Sequence, residues 1–147
     1  MILADNPALD RTAENVAAQR QRILIAEDEF FLADDCADLI RKAGFDVAGP
    51  FGVLEHALLA LDGALRVDGA LLDVNLNGKV VFPLLDAVLA RKLPAVLYTG
   101  YSEDKLPERY AHVPRFTKPD GCCRSAESLI SMIRNETPGL SRSRSRR

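Results

Sequence analysis

A chain of 147 residues that is 48% hydrophobic has apolar material for one compact domain with short tails. The formal net charge of −2 includes four arginines among the last seven residues, Ser141 to Arg147, so an acidic body carries a basic tail. No run approaches the roughly 20 apolar residues of a membrane helix, and the N-terminus lacks a basic-then-apolar leader pattern. Cys36, Cys122 and Cys123 form no C-x-x-C pair, which argues against a disulfide framework or a zinc site. A cytosolic protein with structural thiols is expected.

Residues 1–21 mix Ala, Asp, Asn, Pro and Arg with scattered apolar positions and read as an extension, although Leu9, Ala13, Val16 and Ala17 share a helical stripe. Ile23 to Ala26 predicts a short buried strand, followed at once by the acids Glu27, Asp28 and Glu29. Leu32, Cys36, Leu39, Ile40 and Ala43 fall on one helical face, with Gly44 where a left-handed terminating residue belongs. A weaker strand at Asp46 to Pro50 precedes a helix marked by Leu54, Ala57, Leu58 and Leu61, which Gly63 stops.

Gly69 to Asp73 is an apolar run closing on one carboxylate. After a loop at Val74 to Gly78, Val81, Leu84, Leu85 and Val88 predict a helix whose Pro83 is tolerable only in the first turn. That helix should end near Lys92. Pro94 to Gly100 predicts a strand ending on Thr99, and Ser102 to Ala111, interrupted by Pro107, predicts a short imperfect helix. Pro114 to Pro119 is the fifth strand, ending on Lys118. Ala126, Leu129, Ile130 and Ile133 define the last helix, and residues 136–147 form a disordered Arg/Ser tail.

Strands alternating with helices imply a parallel sheet covered on both faces. The expected fold is an α/β, flavodoxin-like, doubly wound five-stranded parallel sheet in the order 2-1-3-4-5, occupying residues 22–135. The first and third strands are then neighbours at the topological switch point, where Glu27, Asp28 and Asp73 would meet.

Taken singly, each of these features has an ordinary reading: acids favour a helix start, and Asp73 or Thr99-Gly100 could simply belong to turns. Together they end neighbouring strands on one edge. Three close carboxylates call for protonation or a cation. Magnesium suits few protein oxygens plus retained waters, and the backbone carbonyl of Asn75 could add a ligand. A divalent ion and Lys118 would balance the three acids. Thr99 and Lys118 would supply a hydroxyl and an ammonium to a phosphoryl group on Asp73, with Gly100 leaving the approach open.

The set Ile23-Leu-Ile-Ala-Glu-Asp-Glu29, Leu71-Leu-Asp-Val-Asn75, Tyr98-Thr-Gly100 and Thr117-Lys-Pro119 resembles the receiver domain of two-component response regulators, over about Gln21 to Arg134. The resemblance implies that Glu27 and Asp28 hold Mg²⁺ and that Asp73 is the phospho-acceptor. It further makes Thr99 the switch hydroxyl, Lys118 the phosphate-binding lysine, and the Lys118-Pro119 bond cis. The donor would be the phosphohistidine of a histidine kinase or phosphotransfer protein. The downstream partner would meet the fourth helix, fifth strand and last helix, and a dimer is compatible with the pattern. Gly49-Pro50, Thr99-Gly-Tyr101 and Leu106-Pro-Glu-Arg109 resemble stand-alone receivers of alphaproteobacterial type.

Some positions depart from the family. Arg115 stands three residues before the lysine, where an inward-turning aromatic is usual; Tyr98, Tyr101 or Phe116 are the candidates to replace it. Asp120-Gly121 follows Lys118-Pro119 where Phe is usual, and the segment between Thr99 and Lys118 is short. Asn75 and Tyr101 lie where the family tunes access of the hydrolytic water.

Two other functions remain open: a small Mg²⁺-dependent phosphatase with Asp73 as nucleophile, and a binding module of the same fold that does without phosphorylation. Against the phosphatase, the acid pair precedes the nucleophile on strand one, and Asn75 replaces an acid two residues after Asp73. His56 and His112 are isolated from the acids, and no nucleotide-binding or serine-hydrolase motif occurs. A nucleic-acid role for the tail is disfavoured, because no aromatic residues interleave its arginines.

Overall fold

The computed structural model describes residues 20–100, 106–118 and 121–135, without the Cys122 side chain. Of the expected extension only Arg20 and Gln21 fall among them. The tail, Tyr101 and the Lys118-Pro119 bond lie outside the described residues.

Five parallel strands form the main sheet: β1 (Arg22–Ala26), β2 (Asp46–Phe51), β3 (Gly69–Leu72), β6 (Ala95–Thr99) and β7 (Arg115–Thr117), in the order β2-β1-β3-β6-β7. Counting only these five strands, this is the expected 2-1-3-4-5 order. Their side chains alternate between two cores, as the period of two requires. Ile23, Ile25, Leu71, Val96 and Tyr98 pack with α1 (Phe30–Lys42) and α4 (Cys122–Asn135). Leu24, Ala26, Ala70, Leu72, Ala95 and Leu97 pack with α2 (Leu54–Asp62) and α3 (Phe82–Ala90).

Two details differ from the sequence expectation. On α1 the buried face is Ala33, Cys36, Ala37 and Ile40, rotated from the one that Leu32 and Leu39 suggested. Alanines there bring the helix close to the sheet, while Phe30 and Phe31 stay 72% and 80% exposed. Second, the expected loop after Asp73 contains a hairpin of β4 (Asn75–Leu76) and β5 (Lys79–Val80), paired antiparallel. Asn77 and Gly78 turn it with φ of 51° and 86°, the double positive φ that Asn-Gly favours in two-residue hairpins.

Pro83 does lie in the first turn of α3, and Gly44 closes α1 with φ of 97°. Between Thr99 and β7, the described residues show a single 3-10 turn at Glu108–Tyr110. Tyr110 plugs the core there, its hydroxyl donating to Asp86 Oδ1 at 2.6 Å.

β2 is irregular where it runs beside the site: its register against β1 shifts between Leu24 and Ala26. Gly49 lies at the shift with φ of 103°, and a Cβ there would stand 2.8 Å from Ile25 O and Phe51 N. Both the left-handed backbone and the lack of space demand glycine. Gly49→Ala is therefore expected to destabilise the fold by about 1–3 kcal/mol, measured by urea unfolding; a variant as stable as the parent would contradict this account of β2.

Candidate functional site

Strand register builds the site. Ala26 is paired with Leu72, so Glu27 and Asp73 leave neighbouring strands at one level, and Asp73 N donates to Ala26 O at 2.8 Å. Thr99 is paired with Thr117, and Lys118 N donates to Thr99 O at 3.0 Å. Four strand ends thus deliver two acids, a hydroxyl and an ammonium to one edge, with Asp28 following directly from β1.

Glu27, Asp73 and Thr99 are buried, Asp28 half-buried. Carboxylate oxygens of Glu27, Asp28 and Asp73 can be chosen that all lie within 4.8 Å of one another. Lys118 Nζ donates to Asp73 Oδ2 at 2.7 Å, Glu27 Oε2 at 3.0 Å and Glu29 Oε1 at 3.2 Å. Its ammonium lies over the buried ring of Tyr98, with Nζ 5.7 Å from the ring centroid. Backbone donors orient the acids further: Glu29 N reaches Glu27 Oε2 at 3.0 Å and Asn75 N reaches Asp73 Oδ1 at 3.2 Å.

The hairpin completes the arrangement. Asn77 N donates to Asp28 Oδ2 at 2.6 Å, and its side-chain amide donates to Gly52 O at 3.2 Å. Gly78 N bonds Asn75 Oδ1 at 2.7 Å, and Lys79 pairs with Glu55 at 2.6 Å. One small element therefore grips both Asp28 and Asp73. Neither Asn77 nor the Glu29–Lys118 contact was foreseen as part of the site. The Asn77-Gly78 dipeptide was the available signal for the first; the second had none, because it depends on how β1 and β7 are placed.

Burial, reinforced by the negative charge of Asp73, raises the Glu27 carboxyl from 4.5 to about 7, against the Glu29 amide and Lys118, which lower it. Burial pulls Lys118 down, but its bonds to Asp73 and Glu27 outweigh this and hold its pKa above the usual lysine range. Glu27 Oε1 is buried without a hydrogen-bond partner. A buried carboxylate oxygen left unsatisfied beside two further acids fits a hard cation, whose ligands are such oxygens.

Beside the acids a cavity of about 250 Å³ is lined by Glu27, Asp28, Phe30, Ala33, Asp34, Pro50 and Gly52. Phe30, exposed on that wall, has its ring centroid 5.4 Å from that of the exposed Phe31. His56 and His112 are exposed, and no helix among the described residues is long and apolar enough to cross a membrane. Of the aromatic candidates, Tyr98 is buried and Phe116 half-buried. Arg115 Nη2 donates to Tyr110 O at 3.1 Å.

No protein-family profile matches the chain. The solution structure of SdrG from Sphingomonas melonis Fr1 is similar, with 33% identity, a TM-score of 0.62, and coverage of 76% of this chain and 97% of that one. A BeF3-activated conformation of SdrG is 32% identical with a TM-score of 0.61, covering 76% of this chain and 95% of that one. A CheY-like response regulator receiver domain from Methylobacillus flagellatus shares the fold at 21% identity and a TM-score of 0.65, over 78% of this chain and 99% of that one. Mycobacterium tuberculosis transcriptional regulatory protein PdtaR is 28% identical over 99 residues, 67% of this chain. The chain spans about half the length of that regulator, 48%.

Two outcomes test this geometry. Because Glu27 takes up a proton below about 7 and a cation requires the carboxylate, Mg²⁺ affinity should rise with pH up to about 7 and level off above; calorimetric titration giving a flat profile would refute it. Asn77→Ala loses the tie to Gly52 and the residue suited to a left-handed turn. It should weaken Mg²⁺ binding roughly tenfold, as loss of a ligand-orienting partner does, and unchanged affinity would exclude Asn77 from positioning Asp28.

Proposed function

From the premise that this chain belongs to the receiver domains of two-component response regulators, we propose that it is a phosphorylation switch with Asp73 as phospho-acceptor. The observation that carries the reading is the Lys118 ammonium, bonded at once to Asp73 and Glu27 beside the partnerless Glu27 Oε1. Residues 22–135 are taken as the receiver unit. A cytoplasmic location and a histidine kinase or phosphotransfer protein as donor go with this reading.

Glu27, Asp28, Asp73 and the backbone carbonyl of Asn75 would hold Mg²⁺, which when bound supplies positive charge against the phosphoryl oxygens. The residues do the positioning. Lys118 and Asn75 N fix the two oxygens of Asp73. Attack by a carboxylate oxygen forms the new P–O bond as the P–N bond to the donor imidazole breaks, and the bonding pair returns to that nitrogen, which picks up a proton. Lys118 then pairs with the phosphoryl group, and the Thr99 hydroxyl, on the adjoining strand end, donates to it. Water later hydrolyses the acyl phosphate, so the protein turns over no substrate beyond its own phosphoryl group.

The added charge of roughly −1.5 to −2 falls where Lys118 now bonds Asp73, Glu27 and Glu29. Redistribution of those bonds is the signal, and Tyr98, packed under Lys118, is placed to sense it. The downstream partner would meet the face formed by the segment before β7, β7 itself and α4.

Acetyl phosphate with Mg²⁺ should add one phosphate to the protein, read by intact mass, and Asp73→Asn should add none. Equal phosphorylation of the variant would remove Asp73 from the role. Sustained turnover of a phosphate ester would point to the phosphatase instead, and partner binding unchanged in Asp73→Asn and in beryllofluoride-treated parent would point to the phosphorylation-independent module.

A further inference from the structure

The outward face of α1 combines aromatic rings with acids. Phe31, Asp34, Asp35 and Asp38 recur at the i, i+3, i+4, i+7 spacing of one helical stripe, and all four are exposed. Asp34 and Asp38 stand four apart, where like charges repel, and no cation among the described residues pairs with any of the three aspartates. At its aromatic end the stripe meets the cavity of about 250 Å³ that Phe30 and Asp34 line with Glu27 and Asp28. Glu27 is the residue whose Oε1 is buried without a hydrogen-bond partner. Carboxylates set among exposed rings recognise guanidinium groups, which bond the acids in two-point contacts and stack on the aromatic faces.

The chain itself carries a segment of that chemistry. Residues 136–147, outside the described residues, contain Arg142, Arg144, Arg146 and Arg147 against the acid Glu136. Residues 1–19, at the other end, hold Asp5, Asp10 and Glu14 against Arg11, the wrong sign for this face. The basic segment also departs from the right place. It follows α4, which shares a core with α1, and near the end of α4 Arg134 donates to Ala43 O at 3.1 Å, just past the last residue of α1. From Ala43, Asp38, Asp34 and Phe30 lie about 8, 14 and 20 Å back along the helix axis. Arg142 and Arg147 are seven and twelve positions beyond Asn135, a reach of up to about 23 and 40 Å, so the segment spans the whole stripe. Arginines two apart on an extended chain project to one side about 6.6 Å apart, close to the roughly 6 Å between residues four apart on a helix.

We propose that this face of α1 is the docking site of the chain's own Arg/Ser segment, residues 141–147, which runs back along the helix and brings its last arginines into the cavity beside Glu27 and Asp28. Arg142 and Arg144 take Asp38 and then Asp34 and Asp35, and the final pair reaches Phe30 and Asp28. The tether supplies the segment at an effective concentration on the order of millimolar, which a second copy of the chain does not match at ordinary dilution. A docked guanidinium there competes with Mg²⁺ for the acids around Asp73. That consequence rests on the proposed switch; the docking does not.

The test compares backbone amide spectra of the isotopically labelled full chain with those of the same chain carrying Arg142→Gln, Arg144→Gln, Arg146→Gln and Arg147→Gln, changes that touch no described residue. The amides of Glu29 to Asp38 should differ between the two. Salt at about 0.5 M, where screening acts within a few ångströms, should bring the parent to the variant's positions, and diluting the parent should change nothing. When Asp34→Asn, Asp35→Asn and Asp38→Asn are already present, the arginine changes should leave these amides in place; the spectra show directly that each variant is folded. Calorimetry should find Mg²⁺ bound roughly fivefold more tightly without the arginines, the upper size of one exposed ion pair. Identical α1 amides in parent and variant, a difference that survives in the Asn background, or equal Mg²⁺ affinity would each overturn the proposal. Shifts that fade on dilution would assign the face to a second copy and overturn it as well. If neither chain binds Mg²⁺, the metal reading fails while the amides still decide the docking, and Asp73→Asn should keep the amide response to the arginine changes whether or not Asp73 is the phospho-acceptor.

Discussion

The ammonium of Lys118 is the interaction on which the rest of the site depends. Glu27 and Asp73 are 2% and 4% exposed, and two acids that deep repel each other and lack water to solvate them. One cation within hydrogen-bond distance of both makes their burial tolerable, and it does so by joining β7 to β1 and β3, strands that are not its neighbours in the sheet. The compensation is partial: burial still holds Glu27 well above the usual carboxylate range. A site balanced in this way responds strongly to any group that competes for the ammonium or adds positive charge beside Glu27.

The sheet makes the balance possible because its three inner strands, β1, β3 and β6, are almost entirely buried and pair in continuous register. Parallel pairing carries Ala26 against Leu72 and Thr99 against Thr117, so the residues that follow emerge at one level. The two cores on either side hold that level rigidly, whereas the chemistry sits on the turns just beyond the strands. The hairpin at Asn75–Val80 adds a second constraint from the side, bonding one acid from each of the two central strands. Orientation of Asp28 and Asp73 is thus shared between the sheet and a turn of two residues.

Across β7 the electrostatics reverse. One side of Lys118 faces carboxylates; the other adjoins a cavity with Arg115 and Arg124 on its walls. Arg115 also bonds the carbonyl of Tyr110, which is anchored through its hydroxyl to Asp86 on α3. The strand that carries Lys118 to the acids therefore carries Arg115 to a different surface, and any displacement of β7 moves both.

Much of this was legible in the chain itself. Apolar runs ending on Asp73, Thr99 and Lys118, spaced by helical stripes, determined a parallel α/β sheet with its chemistry gathered on one edge, and left few strand orders to choose among, because alternating strands and helices admit few topologies. Gly44, Pro83 and the last helix stripe were readable for the same reason: local backbone chemistry restricts them. The exact buried face of α1 was not, since Ala33 and Ala37 are chosen by the closeness of helix and sheet rather than by hydrophobicity. Nor did the sequence show that Glu29 reaches Lys118, that Asn77 grips Asp28, or that Arg115 and Arg124 share a cavity. Those contacts join residues 49 to 89 positions apart, or 9 apart across the turn from β7 into α4, and only strand register and helix packing bring them together.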